Sequence, residues 1–151
     1  MSDPETIHAS CVLVGEAGLL IRGDSGAGKS TLARDVVRSA LRDGRFARLV
    51  SDDRTRIRER HGRLVAIPVE PIEGLIEIHG IGIVAQPHES AAVIRLIVDL
   101  VEDPPRYPEE HDKSSSLCGV TIPRIRLKSA LSSADIVLAC LSGVCDTVVT
   151  L

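Results

Sequence analysis

One short glycine-rich segment, residues 23–30, constrains the fold of this chain more than any other part of its sequence. It runs Gly-Asp-Ser-Gly-Ala-Gly-Lys-Ser and matches the pattern G-x-x-x-x-G-K-[ST]. An apolar stretch typical of a strand precedes it (residues 19–22), and apolar residues at helical spacing follow it (residues 30–43). A strand, a glycine turn and a helix N-terminus in this order predict a loop that binds phosphate groups.

The residue types in this segment suit a nucleoside triphosphate. Glycines allow the backbone to turn with its N–H groups pointing inward, and the helix N-terminus adds partial positive charge. The ammonium of Lys29 can reach the outer phosphates, and the hydroxyl of Ser30 can ligate Mg²⁺. We therefore predict that the chain binds a nucleoside triphosphate and Mg²⁺. The predicted nucleotide-binding residues are Gly23, Asp24, Ser25, Gly26, Ala27, Gly28, Lys29, Ser30 and Thr31.

Two adjacent aspartates, Asp52 and Asp53, follow a short apolar stretch (residues 46–50) that predicts the next strand. In phosphate-loop proteins an acidic residue at a strand end often holds Mg²⁺ or its water. Neighbouring side chains at a strand end point to different sides, so we expect one carboxylate to face the metal and the other the phosphate acceptor. His8 stands just before the first predicted strand, and a lone histidine is most often an ordinary surface or core residue.

The rest of the chain predicts an α/β domain with a mixed sheet. Apolar-rich runs on both sides of a glycine turn predict one hairpin from residues 7–14 and 19–22, and alternating apolar residues predict another from residues 55–60 and 63–67. Residues 93–101 predict a strong strand, and residues 133–141 predict a closing helix that ends before Gly143. A length of 151 residues fits a single domain over residues 1–151.

Composition narrows the function further. The 18 basic and 21 acidic residues give a net charge of −3, which argues against a nucleic-acid binder. Residues 1–5 are acidic and polar, unlike a signal peptide, and no apolar run is long enough for a membrane span, so we expect a cytoplasmic protein that binds no membrane. Phe46 and Tyr107 are the only aromatic residues and asparagine is absent, which predicts weak discrimination among purine bases.

The segment of residues 102–119 is rich in charge, proline and serine. It has few apolar residues to bury, so we expect it to be a mobile loop that orders when a partner binds. A lid over a small substrate is an alternative role for the same segment.

Residues 75–83, Leu-Ile-Glu-Ile-His-Gly-Ile-Gly-Ile, resemble the signature L-L-E-I-R-G-L-G-I of the HPr kinase/phosphorylase family. The glycine-rich segment, the aspartate pair and this signature occur in the order and spacing of that family's catalytic domain. The resemblance covers roughly residues 7–141. It implies a fold related to phosphoenolpyruvate carboxykinase, and an ATP- and Mg²⁺-dependent kinase for a serine of the phosphocarrier HPr, which can also remove that phosphate by phosphorolysis.

The resemblance also implies roles for particular residues. Asp52 would be the general base and acid, assisted by His8, and Lys29 would serve in catalysis. Ser30 and Glu77 would lie at the metal, with Asp53 close by. The partner would be an HPr-like phosphocarrier, and a homo-oligomer, a hexamer in the family, is implied.

The chain departs from the family pattern at four points. His79 replaces the signature arginine, and the family's Gly-Arg-Asn has no match where residues 131–134 read Leu-Ser-Ser-Ala. The N-terminal regulatory domain and the extra C-terminal helices of many members are not seen in this sequence. Two other functions therefore stay open: a nucleotide-dependent switch or ATPase without protein kinase activity, and a kinase for a small metabolite.

Overall fold

The computed structural model describes residues 3–69, 75–78, 80–85, 88–130 and 133–146. Within these ranges it contains eleven β-strands, two α-helices and a short 3₁₀-helix at Glu110–Asp112. The strands are β1 Glu5–Ile7, β2 Ala9–Val14, β3 Ala17–Arg22, β4 Ala47–Ser51, β5 Thr55–Arg60, β6 Arg63–Pro68, β7 Leu75–Ile78, β8 Gly82–Ala85, β9 Ala92–Leu100, β10 Ser114–Leu117 and β11 Val120–Leu127. The helices are α1 Lys29–Arg42 and α2 Ser133–Asp146.

Nine of these strands form one mixed sheet in the order β1-β5-β6-β9-β3-β2-β4, with β11 beside β9 and β10 beside β11. The sheet branches at β9. The first residues of β9 pair with β6, and its last residues pair in parallel with β11. The other edge of β9 pairs in parallel with β3. Strands β7 and β8 form a separate antiparallel pair. The predicted α/β fold with a mixed sheet is therefore confirmed, as are both predicted hairpins.

Both faces of the central strands are buried, because one hydrophobic core lies on each side of the sheet. Leu19 and Ile21 in β3 belong to the core that lies under α1 and α2, and Leu20 belongs to the opposite core. Helix α1 covers the sheet with an apolar stripe that includes Leu32 and Val36. Each such side chain contributes about 1.5–3 kcal/mol when it leaves water, so the sheet and helices stabilise each other through many small terms.

Two sequence-based predictions were wrong. Helix α2 runs past Gly143 to Asp146, because a single glycine costs a helix only about 1 kcal/mol relative to alanine. The segment of residues 102–119 is not a continuous loop: it holds the 3₁₀-helix and β10, which pairs with β11. The serine-rich segment Ser114–Leu117 forms a strand because the neighbouring strand supplies its hydrogen-bond partners.

One edge of the sheet collects the elements that carry the site. Strands β3, β9 and β11 are parallel, so their carboxyl ends lie at the same edge. Strand β4 points the same way, because β2 pairs antiparallel with both β3 and β4. The glycine-rich loop follows β3, and Asp52 and Asp53 follow β4. The fold therefore brings these two segments to one place.

Candidate active site

The glycine-rich loop leaves β3 and turns directly into α1. Gly26 and Gly28 have φ angles of 85° and 101°, in the region that favours glycine. The N–H of Ala27 donates to the carbonyl of Asp24 at 2.9 Å, which closes the turn. Gly28 is the N-cap of α1, and its carbonyl accepts the N–H of Leu32 at 2.9 Å. These residues form a backbone nest at the start of a helix.

The N-terminus of α1 suits an anion. It has no side-chain cap and no acidic residue in its first turn. The first N–H groups of a helix have no partner within the helix, and they carry the positive end of its dipole. A phosphate group at this nest would satisfy those donors, which is the fit that the sequence pattern predicted.

Lys29 lies beneath this nest and is only 5 % exposed. Its ammonium Nζ donates to the carbonyl of Gly23 at 2.8 Å and to that of Asp24 at 3.2 Å. The same Nζ lies 3.7 Å from Oδ1 of Asp53. A nearly buried ammonium needs such partners, and its position next to the nest allows it to contact a bound phosphate.

Asp52 and Ser30 are in direct contact. The hydroxyl Oγ of Ser30 donates to Oδ1 of Asp52 at 2.6 Å, and Oγ of Ser10 donates to the same oxygen at 3.0 Å. A hydroxyl and a half-buried carboxylate are the hard oxygen donors that Mg²⁺ prefers. The donor chemistry therefore fits a magnesium ion between the loop and the end of β4.

Asp53 faces the other way. It adopts a left-handed φ of 65°, and its side chain is 58 % exposed. Its N–H donates to Oγ of Ser10 at 3.0 Å, and its carbonyl accepts the N–H of Ala9 at 3.1 Å. The start of β2 thus holds the backbone of Asp53 in this turn, while its carboxylate points toward Lys29 and solvent.

His8, the other residue predicted to serve in catalysis, lies beside the site. His8, between β1 and β2, is exposed and makes no hydrogen bond or ion pair with any residue that the structure describes. Its neighbours Ile7 and Ala9 pair with Thr55 and Asp53, so His8 lies beside the backbone of the site and has no hydrogen bond to Asp52.

No side-chain contact is described for two residues of the signature. Glu77 lies in β7, and His79 is outside the described residues. Thr31 is exposed in the first turn of α1. Among the described side chains, no group of three or more His, Cys, Asp or Glu could hold a metal ion by itself, so the donor set near the loop includes the serine hydroxyl.

Sequence reasoning missed Ser10, whose hydroxyl contacts both aspartates. No motif marks this serine, which is one small residue within an apolar strand. It also missed an ionic cluster beside the loop. Arg22 binds both carboxylate oxygens of Asp99 at 2.7 and 2.8 Å, and Arg124 approaches the same carboxylate at 3.3 Å. The signal was available, since Asp99 is an acidic residue within the apolar stretch of residues 93–101.

Comparison with known proteins identifies the family of this chain. The profile of the family described as "HPr Serine kinase C-terminal domain" matches residues 1–138. HPr kinase/phosphorylase of Clostridium botulinum (strain Eklund 17B / Type B) is 39% identical over 82 residues, which are 54% of this chain and 25% of that protein. HPr kinase/phosphorylase of Clostridium tetani is 38% identical over 85 residues, 56% of this chain and 26% of that protein. The match thus spans about a quarter of the length of these relatives.

A solved structure has the same fold. The HPr(Ser) kinase/phosphatase from Coxiella burnetii superposes with a TM-score of 0.71 at 22% identity, covering 91% of this chain and 88% of that one. In the part of the chain that the structure describes, no helix is long and apolar enough to span a membrane.

Proposed function

Because the chain belongs to the HPr serine kinase C-terminal domain family, we propose that it transfers the terminal phosphoryl group of ATP to a serine of an HPr-like phosphocarrier. The observation that carries this proposal is the meeting of two segments at one edge of the sheet. The phosphate-binding loop supplies Lys29 and Ser30, and the end of β4 supplies the two aspartates within 3.7 Å of them. We expect this reaction to take place in the cytoplasm.

In this proposal the loop binds and orients the triphosphate. Backbone N–H groups at the start of α1 and the ammonium of Lys29 neutralise phosphate charge. Ser30 and Asp52 would hold Mg²⁺, with Glu77 as the further ligand implied by the family resemblance. When bound, Mg²⁺ would neutralise the charge that develops on the phosphate oxygens.

A carboxylate takes the proton of the acceptor serine as its oxygen bonds to phosphorus. The sequence-based assignment of this role to Asp52 remains a prediction, and the contacts favour Asp53. Both hydroxyls that contact Asp52 bind the same oxygen, and one of them is the hydroxyl of Ser30, which is a proposed ligand of Mg²⁺. Asp53 is exposed and close to Lys29, where an acceptor can approach. His8 would assist from the exposed side.

The reverse reaction belongs to the same proposal. An oxygen of inorganic phosphate would attack the phosphorus of phosphoserine, the bond from phosphorus to the serine oxygen would break, and pyrophosphate would leave. The group that accepted the serine proton would return it. His79 and the absent Gly-Arg-Asn bear on this direction most, because an extra phosphate must be held there.

A single-turnover assay tests the proposal. The protein, ATP labelled in the γ position and Mg²⁺ are mixed with purified HPr-like phosphocarriers, and label on the carrier is followed. We expect acid-stable serine phosphorylation. The variant Lys29→Ala is the control, and it should lose triphosphate binding because it removes the ammonium. Release of labelled phosphate without label on any carrier would favour a switch or ATPase, and label on a small metabolite would favour a metabolite kinase. Either result would overturn the proposal.

A further inference from the structure

The sheet opens at the amino-terminal ends of its central strands, between β6 and β11. Both strands pair with the same edge of β9, β6 with its first residues and β11 with residues 97–100. Between these two registers, residues 94–96 have no partner strand on this edge in the described part of the chain. The gap holds an open cavity of about 900 Å³, called the β6–β11 cleft here. It is lined by Glu16, residues 62–64 at the start of β6, residues 93–95 of β9 and residues 120–123 of β11.

A β-bulge in β9 coincides with this cleft. Gly18 of β3 pairs with Ile94, and the next residue, Leu19, pairs with Leu96, so Arg95 is an extra residue on β9. Bulges interrupt ladders and re-aim side chains, and they are enriched at sheet edges and next to active sites. The bulge lies where β9 exchanges β6 for β11 as its neighbour. The result is a short strand edge that is open to another chain.

The β6–β11 cleft carries unpaired positive charge. Arg63 and Arg95 line it, both are exposed, and neither has a hydrogen bond or ion pair with any residue that the structure describes. Arg60 is opposite Arg63 in the register of the β5–β6 hairpin, and like charges directly opposite each other repel. Among the described residues that line the cleft, only Glu16 carries a negative charge. This local excess of positive charge contrasts with the net charge of −3 of the whole chain.

The β6–β11 cleft is remote from the candidate active site. It lies beside residues 93–95, whereas the glycine-rich loop meets the other end of β9, where a Cβ on Gly23 would lie 3.2 Å from that of Leu100. Ile94 and Leu100 are six residues apart on this strand, which corresponds to about 20 Å at the usual rise of about 3.3 Å per residue. An occupant of the cleft therefore leaves the loop and the two aspartates accessible.

We propose that the β6–β11 cleft binds a short extended segment of a partner protein that carries acidic residues at alternate positions. An added strand gains affinity from main-chain hydrogen bonds and specificity from contacts of alternate side chains. The open edge of β9 supplies the first, and Arg63 and Arg95 supply the second, because a guanidinium binds a carboxylate with two parallel hydrogen bonds. The proposal goes beyond the proposed function and does not depend on it.

A nucleic acid fits the β6–β11 cleft less well than an acidic segment does. Proteins that bind single strands stack the bases on aromatic side chains. The only aromatic residues of the chain, Phe46 and Tyr107, do not line the cleft. A sugar-phosphate backbone also cannot form the main-chain ladder that an open strand edge offers.

Fluorescence polarisation in the absence of nucleotide tests the inference. The probe is a labelled peptide of alternating glutamate and serine, and the reference peptides replace glutamate with glutamine or place all glutamates in one block. Arg63→Glu and Arg95→Glu reverse the charge in the cleft. Arg38→Glu is the matched control, because Arg38 is 71% exposed on α1. We expect each cleft variant to weaken the alternating peptide at least about tenfold, since attraction becomes repulsion, and Arg38→Glu to weaken it less than about twofold.

Amide exchange distinguishes strand pairing from simple charge attraction. Saturation with the alternating peptide should slow exchange over residues 93–96 and leave α1 unchanged. Urea denaturation verifies that the variants are folded, and Arg95→Gln, which keeps much of the side-chain length, replaces a reversal variant that is not.

Five outcomes would overturn the inference. These are no binding of the alternating peptide, equal binding of the blocked peptide, an equal loss in Arg38→Glu, unchanged exchange over residues 93–96, and displacement of the peptide by an equal concentration of sodium triphosphate, which would indicate a site for small anions. An oligonucleotide of equal charge that binds more tightly than the peptide, and loses affinity in Arg95→Glu, would assign the cleft to nucleic acid instead. Failure of the proposed kinase activity is seen separately, as peptide binding without transfer of phosphate to a carrier.

Discussion

Gly26 and Gly28 occupy the same loop but differ in what surrounds them. Both have positive φ angles, so a side chain at either position costs about 1–2 kcal/mol. A Cβ at Gly26 would meet nothing within 4 Å, whereas a Cβ at Gly28 would lie 2.9 Å from Oγ of Ser129. The second substitution therefore also has to displace a neighbour at the start of α1.

We predict that Gly28→Ala lowers the free energy of unfolding more than Gly26→Ala does, and that it weakens ATP binding more. Urea denaturation measures the first quantity, and calorimetric titration with ATP and Mg²⁺ measures the second. Gly26→Ala serves as the matched control for backbone strain alone. Equal effects of the two variants would mean that the contact with Ser129 has no energetic weight.

The two aspartates make the sharpest prediction at the residue scale. Asp53→Asn should slow single-turnover transfer by about 10²–10⁴, the usual contribution of a general base, and should leave the affinity for ATP with Mg²⁺ within a factor of a few. Asp52→Asn should chiefly weaken the Mg²⁺-dependent part of ATP binding, because Asp52 contacts Ser30.

Asparagine keeps the size of each aspartate, so the pair of variants is matched. His8→Ala should slow transfer less than the variant of the true base. If Asp52→Asn abolished transfer with unchanged ATP affinity, and Asp53→Asn were active, the original assignment of Asp52 as base would hold. Activity of both variants would refute a carboxylate base at this site.

At the scale of elements, residues 102–119 divide into two parts. Residues 114–117 pair with β11, and the N–H of Arg124 donates to the carbonyl of Lys113 at 2.8 Å. No strand or helix is described between residues 101 and 109. Prolines and charged residues in this first part leave it little to bury.

We predict slow amide exchange in β10 and fast exchange over residues 102–109 in the free protein, measured by mass spectrometry. Addition of a phosphocarrier should slow exchange in the first part only. The adjacent strand β11 is the internal reference for protected amides. Fast exchange throughout residues 102–119 would restore the simpler expectation of one mobile loop, and slow exchange throughout would refute mobility altogether.

At the scale of the whole molecule, one carboxylate joins three strands. Asp99 in β9 binds Arg22 of β3 with both oxygens and Arg124 of β11 with one. These groups are partly shielded, with Asp99 only 15% exposed. Hydrogen bonds to charged groups contribute about 1.5–3 kcal/mol each when shielded, and partial exposure reduces that value.

We therefore predict that Asp99→Ala lowers the free energy of unfolding by about 1–3 kcal/mol. Asp35→Ala is the matched control, because its ion pair with Arg38 is 3.7 Å long and exposed; it should cost less than about 0.5 kcal/mol. Urea denaturation of both variants measures the difference. Equal costs would show that the cluster at Asp99 does not hold the sheet edge together.

Local structure was predictable from the sequence wherever a few consecutive residues determine their own backbone conformation. The glycine-rich loop needs only its own backbone and the first turn of α1, so eight residues sufficed to predict it. The hairpins were predictable because a short turn separates two runs that are either apolar-rich or alternate with a period of two residues. The C-terminal end of α2 was not predictable in this way. The free-energy cost of Gly143 within the helix is smaller than the stabilisation that the rest of the helix contributes.

The sequence by itself determined the glycine-rich loop at the start of α1, the pair of strand-end aspartates and the family to which the chain belongs, since each depends on short segments of residues that are neighbours along the chain. Only the tertiary structure decided which aspartate contacts Ser30, that Ser10 bridges the pair, and that β9 joins β3 to β11 beside an open cavity. Contacts such as those of Asp99 with Arg22 link residues 77 positions apart. Their geometry follows from strand order and register, which depend on the packing of both cores together and on no local pattern.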